Sequence, residues 1–186
     1  PTSRGAVGYL DADCFYVSCE RLRYPLLKGK PVGVLGNQGA CVIAKSYELK
    51  AAGIRTGEAI WDCIARCPEA IYLKRDFRWY EAVSQSFLSL VRSLSPRAEY
   101  YSIDELFFDA RDLLVVYGSD APRMLQQQVL REVGIPVTVA IAPTRTLAKL
   151  AGDHHKPFGA AVVLTDSDRA VLLHHLPIEE VSGIAG

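Results

Sequence analysis

Apolar and polar positions divide the chain into short, well-punctuated segments. "AVGYLDAD" reads as a strand ending in acids. "CFYVSCERLRY" has a helical period that Pro25 ends, and "LLKGKPVGVLG" gives a basic turn followed by a strand at 32–35. After the turn "NQGA", "CVIAKSYELKAAG" starts as a strand and becomes a helix, with Gly53 as its C-cap. "GEAIWDCIARCP" reads as a helix stopped by Pro68, and "AIYL" as a short strand. The clearest helix is "DFRWYEAVSQSFLSLVRSLSP": Phe77, Tyr80, Val83, Phe87, Leu90, Val91 and Leu94 recur at three- and four-residue steps, and Pro96 closes it. Strands are predicted around 99–102 and 105–109. A helix follows in "DAPRMLQQQVLREVG", with Asp120 as N-cap and Pro122 just inside. "IPVTVAIA" is a strand, "TRTLAKLAGDHH" a helix capped by Thr144 or the preceding turn, "AAVVLT" a strand and "DSDRAVLLHHL" a last helix.

From residue 76 the order is helix, two strands, helix, strand, helix, strand. With the opening strand this predicts a mixed sheet carrying helices, an α/β or α+β layer rather than a bundle or barrel. Residues 21–75 have shorter elements and more turns, and read as an insertion between the first strand and the main sheet.

Composition narrows the class. The 186 residues suit one large domain or two small ones, and 49% are apolar, enough for a sizeable core. No run approaches the roughly 18 apolar residues of a membrane span. "PTSRGAVGYLDAD" lacks the apolar stretch and cleavage site of a signal peptide. Five cysteines, an odd number without a CxxC pair, predict reduced thiols in a cytosolic protein; Cys63 and Cys67 find no matching pair for a zinc site. Net charge is zero but uneven. Residues 21–78 carry 11 Lys+Arg against 5 Asp+Glu, while the flanking segments are acidic. That distribution suits a polyanion partner beside a cation site, or simply a solvated surface.

The candidate chemistry lies in "YYSIDELFFD", residues 100–109, where Asp104 and Glu105 interrupt an aromatic, strand-like run. Unpaired carboxylates are costly in a strand core. If the first strand and the 99–109 hairpin are neighbours, their acids converge with Asp11 or Asp13, and a cation between them removes the repulsion. Mg²⁺ suits a few carboxylates with water and phosphate oxygens, and a two-ion version serves phosphoryl transfer. The plainer alternative is a tight hairpin turn. Periodicity does not choose between Asp11 and Asp13, which share one side of an extended strand.

Four stretches, "YLDADCFYVSCE", "CVIAKSYELKAAGIRTG", "YYSIDELFFD" and "VTVAIAPTRTLAKLAGDHHKPFG", occur in order over essentially the whole chain. Together they resemble the Y-family translesion DNA polymerases, with "SPRAEYYSIDE" nearest to the bacterial UmuC-type branch. By position the resemblance implies that Asp11, Asp104 and Glu105 are metal-binding carboxylates, that the Ala12 carbonyl is a further ligand, and that Asp13 is not one. It implies that Tyr16 is the aromatic gate under the sugar of the incoming nucleotide, where its ring excludes a ribose 2′-OH; read alone, Tyr16 is a core aromatic at the start of a helix. Tyr47 and Lys50, three apart on one helical face, and Lys156 would cradle the triphosphate with the backbone N–H groups of Phe15 and Tyr16. Each lysine alone reads as surface charge.

Two positions depart from the family pattern. Lys50 stands where Arg is common, which removes bidentate phosphate contact. Ala44 stands where many members have Ser or Thr. His154 and His155 replace smaller residues and read as surface or packing residues.

The implied fold is α+β: a polymerase palm with a ferredoxin-like sheet at 1–14 and 76–170, a small α/β fingers subdomain at 15–75, and the start of a thumb at 171–186, with the rest of the thumb and the little finger beyond the sequence. The implied reaction is template-directed transfer of a deoxynucleotide to a primer 3′-OH with two Mg²⁺ ions, Mn²⁺ substituting. Small fingers residues such as Ala44, Ala52 and Gly57 would leave space over a damaged templating base. Implied partners are primer–template DNA, dNTP, and a sliding clamp or repair subunits reached through regions outside the sequence, with no membrane; the implied setting is the bacterial cytoplasm during DNA repair and the SOS response. The piece alone would be weakly active or inactive. Two other classes share features: an inactive polymerase-like accessory protein, set apart by failure to bind dNTP with metal, and a nucleotide cyclase, set apart by its products from ATP or GTP.

Overall fold

A computed structural model describes residues 5–176. The end of the predicted thumb segment, 177–186, lies outside them. In chain order come β1 (Val7–Ala12), α1 (Phe15–Arg23), β2 (Val32–Leu35), β3 (Val42–Lys45), α2 (Tyr47–Ala51), α3 (Ile60–Arg66), β4 (Ile71–Lys74) and α4 (Phe77–Leu94). Then follow β5 (Glu99–Tyr100), β6 (Glu105–Asp109), α5 (Arg111–Tyr117), α6 (Ala121–Glu132), β7 (Val137–Ala142), α7 (Arg145–His155), β8 (Ala160–Val162) and α8 (Asp166–His174). The chain forms two compact units, Pro1–Asp13 with Ser84–Gly186, and Cys14–Val83. The fold is α+β, as the pattern predicts.

The first unit is built on a five-stranded sheet in the order β5-β6-β1-β7-β8, in which β1 pairs antiparallel with both β6 and β7, and β7 runs parallel to β8. A central strand needs apolar residues on both faces. On one face Leu10, Leu106, Phe108, Val139 and Ile141 are buried; α6 packs against β7 and β8, where the buried Gln126 donates to the carbonyls of Val137 (3.0 Å) and Gly159 (2.9 Å). The other face presents Tyr9, Phe107, Ala140 and Ala142 to Ala148 and Ala151 of α7. Those alanines, with Gly152, let α7 lie close to the sheet. A Cβ at Gly152 would sit 2.5 and 2.7 Å from two ring carbons of Tyr9. Gly152→Ala is therefore expected to lower stability by about 1–3 kcal/mol through overpacking, read as a fall in melting temperature.

The second unit carries the three-stranded sheet β3-β2-β4 over a small core of Val42, Leu49, Ile54, Cys63 and Cys67. The thiols at 63 and 67 are packing groups, and burial pushes both pKa values up. Ser46 caps α2 by accepting from the Leu49 N–H (3.1 Å) and also accepts from the Val32 N–H (3.0 Å), so one hydroxyl ties the helix start to β2.

Three local expectations change. The pattern assigns no element to 110–119, yet Arg111–Tyr117 is the helix α5; Val115 and Val116 are exposed, so no amphipathic stripe marks it. Tyr101 and Ile103 are not strand residues, because the chain bends between Ser102 and Asp104. Asp120 makes no side-chain cap for α6. It follows a single 3₁₀ turn, Gly118–Asp120, and already has helical backbone angles.

Candidate active site

The sheet register brings the acids of the first unit together. Asp11 lies opposite Glu105 in the β1–β6 pairing, and the Ala12 N–H donates to the Asp104 carbonyl at 2.9 Å. The period-2 alternation of β1 puts Tyr9 and Asp11 on the face covered by α7, and that of β6 does the same for Glu105 and Phe107.

The carboxylates are compensated by cationic side chains. Asp11 Oδ2 accepts from Lys156 Nζ (2.7 Å) and from the Tyr9 hydroxyl (2.8 Å). Glu105 Oε1 is bonded by Lys149 Nζ and by the Tyr9 hydroxyl, and Oε2 lies 3.0 Å from Ser102 Oγ. The same serine reaches Asp104 Oδ1 at 2.7 Å. Lys149 Nζ also donates to the Tyr9 oxygen (3.0 Å), and Lys156 Nζ also pairs with Asp153 (3.3 Å). Asp13 is held apart from this group: it accepts from Thr138 Oγ1 (2.9 Å) and from the Phe158 N–H (2.8 Å).

Burial dominates the electrostatics. It raises the Asp11 pKa to about 6 against the opposing pull of Lys156. Burial and then the negative charge of Asp11 hold the Tyr9 phenol far above its ordinary range, so it stays a proton donor. Burial also acts to raise Glu105, but the hydrogen bonds from Lys149 and Tyr9 and the Lys149 charge outweigh it, and its pKa falls. For Lys156 burial is outweighed by Asp11, and its pKa rises.

These residues suit a hard divalent ion in donor chemistry: carboxylates on adjoining strands beside a backbone carbonyl. As they lie, no group of three His, Cys, Asp or Glu side chains among the described residues is gathered tightly enough to hold one. Lys149 and Lys156 supply the positive charge instead.

The other predicted residues belong to the second unit. Phe15 opens α1 and is buried; Cys14 before it has φ 44° and gives no side-chain cap. Tyr16 is half-buried and stacks on Tyr80 at 4.6 Å and 17°, with Phe77 edge-on at 5.7 Å. Tyr80 is itself fixed by donating to Glu20 at 2.7 Å. Tyr47 and Lys50 sit on α2 and are exposed. Tyr9, Ser102, Lys149 and Asp153 were not singled out by the sequence reading. Lys149 and Lys156 are seven residues apart with Asp153 between them, a two-turn spacing that puts them on one side of a helix. That spacing is a usable signal; the role of Tyr9 needs the register.

The chain as a whole is similar to known proteins. Residues 10–153 match the impB/mucB/samB family. The chain is 37% identical to DNA polymerase IV 1 of Halalkalibacterium halodurans over 95% of its own length and 43% of that protein. It is 33% identical to DNA polymerase IV 1 of Bacillus subtilis over 99% of its length and 45% of the relative's. Among solved structures it superposes on the insertion ternary complex of Dbh DNA polymerase with a TM-score of 0.87 at 30% identity, covering 97% of this chain and 55% of that one. It superposes on DinB from Sulfolobus solfataricus with a TM-score of 0.88 at 31% identity, covering 97% and 54%. The chain thus spans under half the length of these curated relatives. On motif order, sheet register and these matches, the chain belongs to the impB/mucB/samB family of Y-family polymerases.

Proposed function

We propose that this chain is the palm and fingers portion of a translesion DNA polymerase that joins a dNTP to a primer 3′-OH on a DNA template. The observation that carries this reading is the pairing of Asp11 with Glu105 beside the Ala12–Asp104 backbone bond. Asp11 and Ala12 of β1 are thus backbone neighbours of Glu105 of β6 and of Asp104 in the bend before it. The relatives are named as DNA polymerases, and one structural neighbour is a ternary complex.

In this reading Asp11, Asp104, Glu105 and the Ala12 carbonyl hold two Mg²⁺ ions, with Mn²⁺ as a substitute. Ions held there supply Lewis acidity at the attacking hydroxyl and the leaving pyrophosphate. Lys156, once separated from Asp11, takes phosphate oxygens, and Tyr47 and Lys50 of α2 contact the triphosphate with the backbone of Phe15 and Tyr16. Palm residues are 1–14 and 76–170, and fingers residues 15–75. A sliding clamp or repair subunit would bind through parts outside this chain. Among the described residues no helix is long and apolar enough to cross a membrane.

Primer extension with Mg²⁺ and single dNTPs tests the reading. Templated addition of one nucleotide supports it; a cyclic product from ATP or GTP, or no metal-dependent dNTP binding, rejects it. Tyr16 is held by Tyr80 and Phe77, so its ring has little freedom to yield to a 2′-OH. Tyr16→Ala is expected to raise ribonucleotide use relative to dNTP by about 10-fold or more, the scale of a modest steric contact. An unchanged ratio of kcat/KM values removes Tyr16 from the gate.

A further inference from the structure

Tyr9 has no packing need for its hydroxyl. The ring is fully buried against Phe107 at 5.2 Å and under Gly152, and phenylalanine would fill the same space. Yet the hydroxyl stands at the junction of the site, within hydrogen-bond reach of Asp11, Glu105 and Lys149. A phenol has one proton, so it donates to one carboxylate at a time while accepting from Lys149. Lys149 in turn donates to the same Glu105 oxygen. Tyr9, Glu105 and Lys149 form a closed ring, and Asp11 on the adjoining strand joins it through the same phenol.

We propose that Tyr9 is a positioning residue which, together with Lys149, holds Glu105 beside Asp11 in the cation-free site and presents both carboxylates to an entering divalent ion. The inference rests on the metal-site reading above. Without the phenol, Glu105 keeps Lys149 and Ser102 and Asp11 keeps Lys156, and the two carboxylates no longer share a hydrogen-bonding partner. Each is then oriented by its own partners, and gathering them costs part of the binding energy. Partners that orient metal ligands typically change metal affinity 10–100-fold when removed. Tyr9 acts through the carboxylates it bonds.

The test is a Mn²⁺ titration of the protein alone, followed by electron paramagnetic resonance, on wild type, Asp11→Asn, Tyr9→Phe and Tyr72→Phe. Tyr72 carries a buried hydroxyl with no hydrogen-bond partner among the described residues, so its loss controls for removing any buried phenol. We expect Tyr9→Phe to weaken Mn²⁺ binding about 10-fold or more, with the metal-free melting temperature held near wild type and Tyr72→Phe binding as wild type. A role in packing alone would move the melting temperature and not the affinity. Equal or tighter binding by Tyr9→Phe, with Asp11→Asn still weakened, overturns the role of Tyr9 and leaves the metal site standing. Mn²⁺ binding that is indifferent to Asp11 overturns both.

Discussion

In the full-length enzyme, Asp104→Ala and Glu105→Gln are each expected to lower nucleotide addition by more than about 100-fold, beyond what loss of a partner that only orients a ligand produces. The effect on folding should be small by comparison. The Asp104 side chain is bonded by Ser102, and one such bond contributes roughly 0.5–1.5 kcal/mol, a shift of a few degrees in melting temperature for a chain of this size. Glu105→Gln keeps the shape and an acceptor for Lys149 and Tyr9 while removing the charge a metal needs. A large loss of kcat with a nearly intact melting curve is thus the signature of lost chemistry rather than lost structure. Primer extension near the wild-type rate in either variant would reject the metal assignment.

The second large effect concerns pH. The Asp11 pKa is raised in the folded chain from 3.8 to about 6, chiefly by burial. A group that binds its proton more tightly when folded stabilises the protein below its unfolded pKa, and that contribution is lost as pH rises through the folded value. In metal-free buffer, stability should therefore fall between about pH 4 and pH 6, by about 3 kcal/mol for a shift of this size. Asp13, also raised by burial, adds in the same direction. Glu105, whose pKa is lowered, acts oppositely, contributing stability above its unfolded pKa that is lost in acid. The difference between wild type and Asp11→Asn isolates the Asp11 component. Denaturant unfolding with a chelator across this range should show the difference curve sloping down with pH, and added Mg²⁺ should lift its neutral end. A flat difference curve contradicts the burial of Asp11.

Much of this was legible in the residues. The apolar run ending in Asp11 and the aromatic run around Asp104 and Glu105 located both strands, and the need to compensate buried acids pointed to a cation. The structure adds that lysines from α7 and its C-terminal end already provide compensation. That was hidden because a lysine on an amphipathic helix looks the same whether it faces water or a carboxylate. Tyr9 was hidden for a related reason: a tyrosine in a strand reads as apolar, and only the register shows which acids its hydroxyl meets. Helix α5 was missed because two exposed valines carry a β-like signature.

Two lysines that neutralise the carboxylates hang from α7 and its C-terminal end, and that helix rests on a floor of Ala140, Ala142 and the Tyr9 ring. The thickness of this floor works as a spacer. One added methyl group beneath α7 would lift both ammonium groups together, weakening their hold on the acids at a stroke. Substitutions at these small, chemically silent positions thereby offer a way to retune how readily the site exchanges its internal cations for external ones without altering any charged residue.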